Sequence, residues 1–105
     1  MKKIKEEQKR IRKFFAGIFI DKEKLEENNI DYPIRLEYYK IRNIENEYGI
    51  EIVKTEYREG FIKFENDAIT KVTKEEDKIN SIIYKLKENL VTPIELRDVV
   101  SEMII

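Results

Sequence analysis

The chain has no cysteine and no histidine. Without thiols there are no disulfides and no thiolate nucleophiles, and without imidazole there is no side chain poised by default to move protons near neutral pH. The usual zinc and haem ligand sets disappear with them. An enzyme made from what remains needs a constellation of carboxylates, lysines or tyrosines, because the commoner nucleophile–base pairs use His or Cys. The nearest polar couple beside an apolar element is Asp98 next to Arg97, and adjacent helical positions point about 100° apart, so the two need not converge. Glycine is scarce as well: Gly17, Gly49 and Gly60 are scattered and build no phosphate-cradling loop. The 22 acidic residues show no Asp/Asn/Gly calcium spacing. These absences point to a non-catalytic chain with no catalytic residue, no cofactor and no metal.

Long apolar runs are also missing. The run FFAGIFI is seven residues long, against the roughly 20 that a membrane-spanning helix needs. It follows a basic start but ends at Asp21-Lys22-Glu23, without the small-x-small pattern of a signal cleavage site. The expectation is a cytoplasmic protein with no membrane span.

What is present is enough for one core. At 105 residues, with 41% hydrophobic and 41% charged side chains, the chain fits a single globular domain and is too apolar for wholesale disorder. The formal net charge is −1, which makes no general case for a polyanionic partner. The charge is unevenly spread, however. Lys2, Lys3, Lys5, Lys9, Arg10, Arg12 and Lys13 face only Glu6 and Glu7 at the start, and the remainder is acidic on balance.

Spacing divides the chain into elements. From Lys2 to Phe19, apolar residues at Ile4, Ile11, Phe14, Phe15 and Ile18 follow helical spacing and predict a basic amphipathic N-terminal helix. The polar stretch Asp21–Asp31 connects it to Tyr32-Pro33, where proline imposes extended backbone. Residues 1–31 thus form one segment and 32–105 an α+β unit. After Pro33 the period becomes two. Ile34, Leu36 and Tyr38 alternate with Arg35 and Glu37, and the apolar phase then slips to Tyr39 and Ile41, which calls for a bulge or a strand covered on both faces. A second strand carries Tyr48, Ile50 and Ile52 on one face and Val53, Thr55 and Tyr57 on the other. YREGFIKF reads as a hairpin with Gly60 at positive φ, leading into a third strand.

Helical spacing returns with Ile79, Ile82, Ile83, Leu86 and Leu90, after a Thr73/Glu76 capping pattern. The tail has its own start signals. Thr92 caps, Pro93 suits the first position, Glu95 completes a capping box, and Val91 with Leu96 forms a hydrophobic staple. Leu96, Val99, Val100 and Met103 supply a buried stripe. A DNA-recognition helix is the competing reading of this tail, but its exposed face offers more acids than cations and would repel phosphate. The predicted architecture is α+β: an N-terminal helix, a three-stranded antiparallel meander, then two C-terminal helices packed on the sheet.

The segments LEYYKIRNIENEYGIEIVKTEYREG and VTPIELRDVVSEMI resemble a family of short uncharacterised bacterial proteins, a domain of unknown function, over about residues 36–104. The resemblance implies a cytoplasmic bacterial protein and carries over no functional residue.

Two C-terminal helices cover one face of a sheet, yet apolar groups occur on both. The expectation for the second face is contact with the N-terminal helix, a second copy or a partner protein, through Ile11, Phe14, Phe15, Ile18, Tyr39 and Tyr57. The function this supports is a small interaction or regulatory module, working on an unidentified protein or as a homodimer. The alternative is a nucleic-acid-associated factor using the basic N-terminal helix, which the mixed charges of the sheet and the acids at Glu6 and Glu7 argue against.

Overall fold

The computed structural model describes residues 11–20 and 32–104. Four strands, β1 (Ile11–Ile20), β2 (Ile34–Arg42), β3 (Tyr48–Arg58) and β4 (Phe61–Thr73), form one antiparallel sheet in chain order. Two helices follow, α1 (Glu76–Glu88) and α2 (Leu96–Met103), joined through a 3₁₀ turn at Pro93–Glu95.

The N-terminal helix is overturned. Over the described part of that segment the chain is β1, pairing with β2 from Ile11↔Arg42 to Ile20↔Ile34, so the meander has four strands. Residues 2–10 of the expected helix, and the polar connection over 21–31, lie outside the described residues. The physical reason is a bulge. Ile and Phe fill six of the ten positions of β1, a composition that suits a pleated surface. The register shifts between Phe14 and Ala16, so one extra residue breaks the period-two pattern. Apolar side chains at 11, 15, 18 and 20 then share one face while 14 and 19 share the other. Read without the bulge, 11, 14, 15 and 18 imitate a helical stripe.

In β2 the register against β3 is unbroken from Ile34↔Glu56 to Arg42↔Tyr48. The slip of apolar phase therefore comes from no bulge in that pairing: apolar residues occupy both faces of β2. Leu36 and Tyr38 are wholly buried under the helices, and Ile41, on the opposite face, is buried among its strand neighbours. The hairpin after β3 turns in two residues. Arg58 pairs with Phe61 across Glu59-Gly60, and Gly60 has φ 87° as that turn requires.

Gly49 permits a second irregularity. Between Tyr48↔Thr73 and Ile50↔Ile69, β4 takes two more residues than β3. The main chain at Ile69–Thr70 crosses so closely that a Cβ on Gly49 would lie 2.1 Å from the Ile69 carbonyl oxygen.

The core lies between the sheet and the helices. Ile20, Ile34, Leu36, Tyr38, Ile50 and Ile52 from the strands meet Ile79, Ile83, Leu86, Leu96 and Val100. The Tyr38 hydroxyl donates to the Val91 carbonyl at 2.9 Å, satisfying its one polar atom inside this core. Burial, reinforced by Glu95, pushes that phenol far above its ordinary pKa. Helix α1 begins at Glu76, not directly after Thr73. The Thr73 hydroxyl accepts from the Glu75 amide, so the Thr73/Glu76 box is replaced by a local turn. At the tail, the Glu95 carboxylate accepts from the Thr92 amide at 3.0 Å, and Val91 and Leu96 are both buried, as the staple predicts.

Candidate functional site

The face of the sheet away from the helices is open among the described residues. Strand alternation and register place Arg12, Phe14, Gly17 and Phe19 of β1 on it, then Arg35, Glu37, Tyr39 and Ile41 of β2. β3 adds Glu51, Val53, Thr55 and Tyr57, and β4 adds Ile62, Phe64, Asn66 and Ala68. Phe64 is 68% exposed, Phe14 59% and Ile62 55%. The aromatic groups form two clusters. Phe14 meets Tyr39 edge to face with centroids 5.7 Å apart, and Phe19 leans on Tyr57 at 6.0 Å, in the row it shares with Arg35, Thr55 and Phe64. Between them Gly17, having no side chain, leaves a shallow groove bounded by Phe14, Phe19, Arg35 and Glu37.

Polar groups line one end of this face. Arg12 stacks its guanidinium 4.0 Å from the Tyr39 ring centroid and donates to Glu51 at 2.7 Å. Glu51 in turn accepts from Asn66 at 3.0 Å. The Glu51 hydrogen bond raises the Arg12 pKa against the opposing pull of burial. Partial burial, then Glu37, push the Tyr39 phenol up.

The sheet divides the six residues expected to bind a partner into two sets, the bulge bringing Ile18 to the helix side. Phe14, Tyr39 and Tyr57 lie on the open face, whereas Phe15 and Ile18 pack against the core and Ile11 stands on the helix side. The other sheet aromatics divide as well. Tyr38 is core, Tyr48 packs against it, and Phe61 points to the helix side at the hairpin end. Phe19 and Ile62 were not legible as surface groups. Their signal is strand parity, which the bulge hides in β1 and which the short approach from Gly60 leaves unanchored in β4.

Two polar clusters sit on the helix side. Glu56, almost fully covered, accepts from Lys54 and Arg58 at 2.9 Å each. Burial raises its pKa, but the two hydrogen bonds outweigh burial and leave it below the usual carboxylate value. Arg58 also donates to the Tyr32 hydroxyl at 2.7 Å. At the opposite end Lys13, Lys40, Arg42, Tyr48 and Glu76 surround a small pocket. Lys40 is spent there, tying β2 to α1 through Glu76 at 2.7 Å and Asn80 at 3.0 Å.

Arg97 and Asp98 diverge. Arg97 grips Asp67 with two hydrogen bonds and the Ala68 carbonyl with a third, while Asp98 is exposed. Among the described residues no group of three acids could hold a metal ion, no buried side-chain polar atom lacks a partner, and no helix is long and apolar enough to cross a membrane.

No curated protein and no solved structure matches the chain. The family match takes in β1 as well as the segments that carried the resemblance: the chain belongs to DUF6514, a family of unknown function, whose family model matches residues 3–105.

Proposed function

We propose that the chain is a non-catalytic protein–protein interaction module of the cytoplasm, and that its working surface is the open face of the sheet. The observation that carries this is the pair of aromatic clusters, Phe14–Tyr39 and Phe19–Tyr57 with Phe64, spread over all four strands on a face that the helices leave bare. Single exposed apolar residues need no explanation, but a contiguous patch of them marks an interaction surface. Tyrosine and phenylalanine offer large contact area at small cost in side-chain entropy.

A protein fits this face better than a nucleic acid. Base stacking needs cations free to reach phosphate, and Arg12 is committed to Glu51 while Arg35 shares the face with Glu37. The nucleic-acid alternative also relied on a basic N-terminal helix, and Arg12 and Lys13 stand on an edge strand instead.

The test is photo-crosslinking in cells that express the full chain. A benzophenone side chain replaces Phe14 on the open face or Tyr84 on α1, which is equally exposed on the other side. A defined protein adduct from position 14 and none from 84, unchanged between about 50 and 200 mM salt after lysis, is the expected result. Equal adducts from both positions, or adducts to nucleic acid, overturn the reading.

A further inference from the structure

We propose that the first half of β4 is a self-pairing edge: two copies of the chain join antiparallel about a twofold axis at Phe64, giving one continuous eight-stranded sheet. This goes beyond the interaction reading, since it concerns the edge of the sheet and not its face, and either can fail without the other.

Among the described residues the edge of β4 is open from Ile62 to Asn66 and sealed at Ala68. Arg58 and Phe61 close a two-residue hairpin, so they form a hydrogen-bonded pair. The alternation of the antiparallel ladder then turns the main-chain groups of Ile62, Phe64, Asn66 and Ala68 outward. At Ala68 both groups are satisfied: the amide donates to Asp67 Oδ1 at 2.9 Å and the carbonyl accepts from Arg97 at 2.8 Å. The Arg97 contact confirms independently that this parity faces outward. Among the described residues no comparable side chain seals Ile62, Phe64 or Asn66, and no bulge interrupts the register from Phe61 to Ala68. A flat, unbulged edge with exposed apolar side chains is a template for another strand.

Charge selects the occupant and the register. On the helix side of this stretch stand Lys63 and Glu65, one position either side of Phe64. A twofold axis at Phe64 sets Lys63 of each copy opposite Glu65 of the other, and Phe64 opposite Phe64. Moving the axis one residue either way sets Lys63 against itself or Glu65 against itself, and like charges directly opposite are destabilising. Of these three registers, the strand is complementary to its own antiparallel copy at one. There Ile62, Phe64 and Asn66 of both chains exchange about six main-chain hydrogen bonds. The contact is short, below the ~1,200 Å² of total surface buried by a standard stable interface, so the dimer dissociates on dilution.

Sedimentation of the full chain, up to about 1 mM, tests this. A monomer–dimer equilibrium is expected. Phe64→Pro removes the outward amide and the ring but no hydrogen bond to β3, and should abolish the dimer while the far-ultraviolet spectrum stays native. Lys63→Glu and Glu65→Lys should each weaken self-association about tenfold or more, the two variants mixed in equal amounts should form a heterodimer by native mass spectrometry, and the double variant should recover the homodimer. A chain that stays monomeric throughout, or a dimer that F64P and both charge variants leave intact, overturns the proposal. Neither result bears on the adduct formed from position 14, which reports the open face.

Discussion

The two faces of the sheet are built from the same kinds of residue and end in opposite conditions. On the helix side Leu36, Tyr38, Ile50 and Ile52 are completely buried. On the other, Phe14 and Phe64 stand more than half exposed and Phe19 nearly half. Composition does not separate the faces, since aromatic and β-branched side chains favour strands wherever they point. What separates them is the supply of covering elements. The stripes of α1 and α2 are wide enough to close one face, and Arg97 and Lys40 fasten the helices to the sheet at Asp67 and Glu76. The face that the helices leave open among the described residues keeps its apolar groups at a cost in solubility that a purely structural sheet would avoid by placing polar residues there. This contrast is the physical basis for assigning the closed face to stability and the open one to contact.

The largest effect should come from the centre of the closed face. Leu36→Ala removes a side chain with no exposure and should cost about 2–5 kcal/mol, read as a fall in the urea midpoint without a change in slope. Gly49→Val attacks the closed face indirectly. Its Cβ cannot coexist with the Ile69 carbonyl, so β4 must move away from β3, and the expected outcome is accelerated hydrogen exchange at the C-terminal end of β4.

Tyr38→Phe asks whether one hydrogen bond inside the closed face matters. The ring stays, but the Val91 carbonyl loses its buried donor, at about 1–3 kcal/mol by chemical denaturation.

Glu56 tests the polar end of the same side by pH. Its pKa is lowered in the folded chain because the hydrogen bonds from Lys54 and Arg58 outweigh burial. Its contribution is therefore complete above the ordinary glutamate pKa of about 4.3 and drains as pH falls through the lower folded value. Glu56→Gln should be less stable than the parent at pH 7, and the gap should close toward pH 3. A gap that widens on acidification would contradict the assignment.

How far the sequence showed this contrast depends on where the pattern was pure. Alternation from Ile34 to Tyr38 and from Tyr48 to Tyr57 revealed β2 and β3 with their faces, and the 3.6-residue spacing of Ile79, Ile82, Ile83 and Leu86 with the Thr92-Pro93-Glu95 start signals revealed both helices. That the helices could not cover both faces was also legible, because Tyr39 and Ile41 opposed Leu36 and Tyr38. β1 was hidden by its bulge, since one added residue at Phe15 converts a two-residue period into an apparent helical one. β4 was truncated in the reading because Glu65, Asn66 and Asp67 interrupt its apolar pattern. Their roles are tertiary: Asn66 bonds Glu51, Asp67 receives Arg97, and Glu65 lies near Lys54. The candidate site was half legible for the same reason, with Tyr39 and Tyr57 placed by clean alternation, and with Phe15 and Ile18 on one face for a cause that only pairing discloses.

The smallest stability effect should come from the open face, and it carries the most weight. Phe64→Thr keeps a β-favouring side chain opposite Thr55 and removes a ring that is 68% exposed. Measured at a dilution where the chain is monomeric, it should change stability by no more than about 0.5 kcal/mol, as surface substitutions do, against several for Leu36→Ala. A cost approaching that of the closed-face variant would mean that Phe64 is packed in the isolated chain, with some other part of the same molecule lying on the sheet. The open face would then be a second core, and its aromatic clusters would no longer point to a partner. A negligible cost together with loss of the crosslink from position 14 in a Phe14-neighbour variant such as Tyr39→Ser would place those rings where contact, and not folding, retains them.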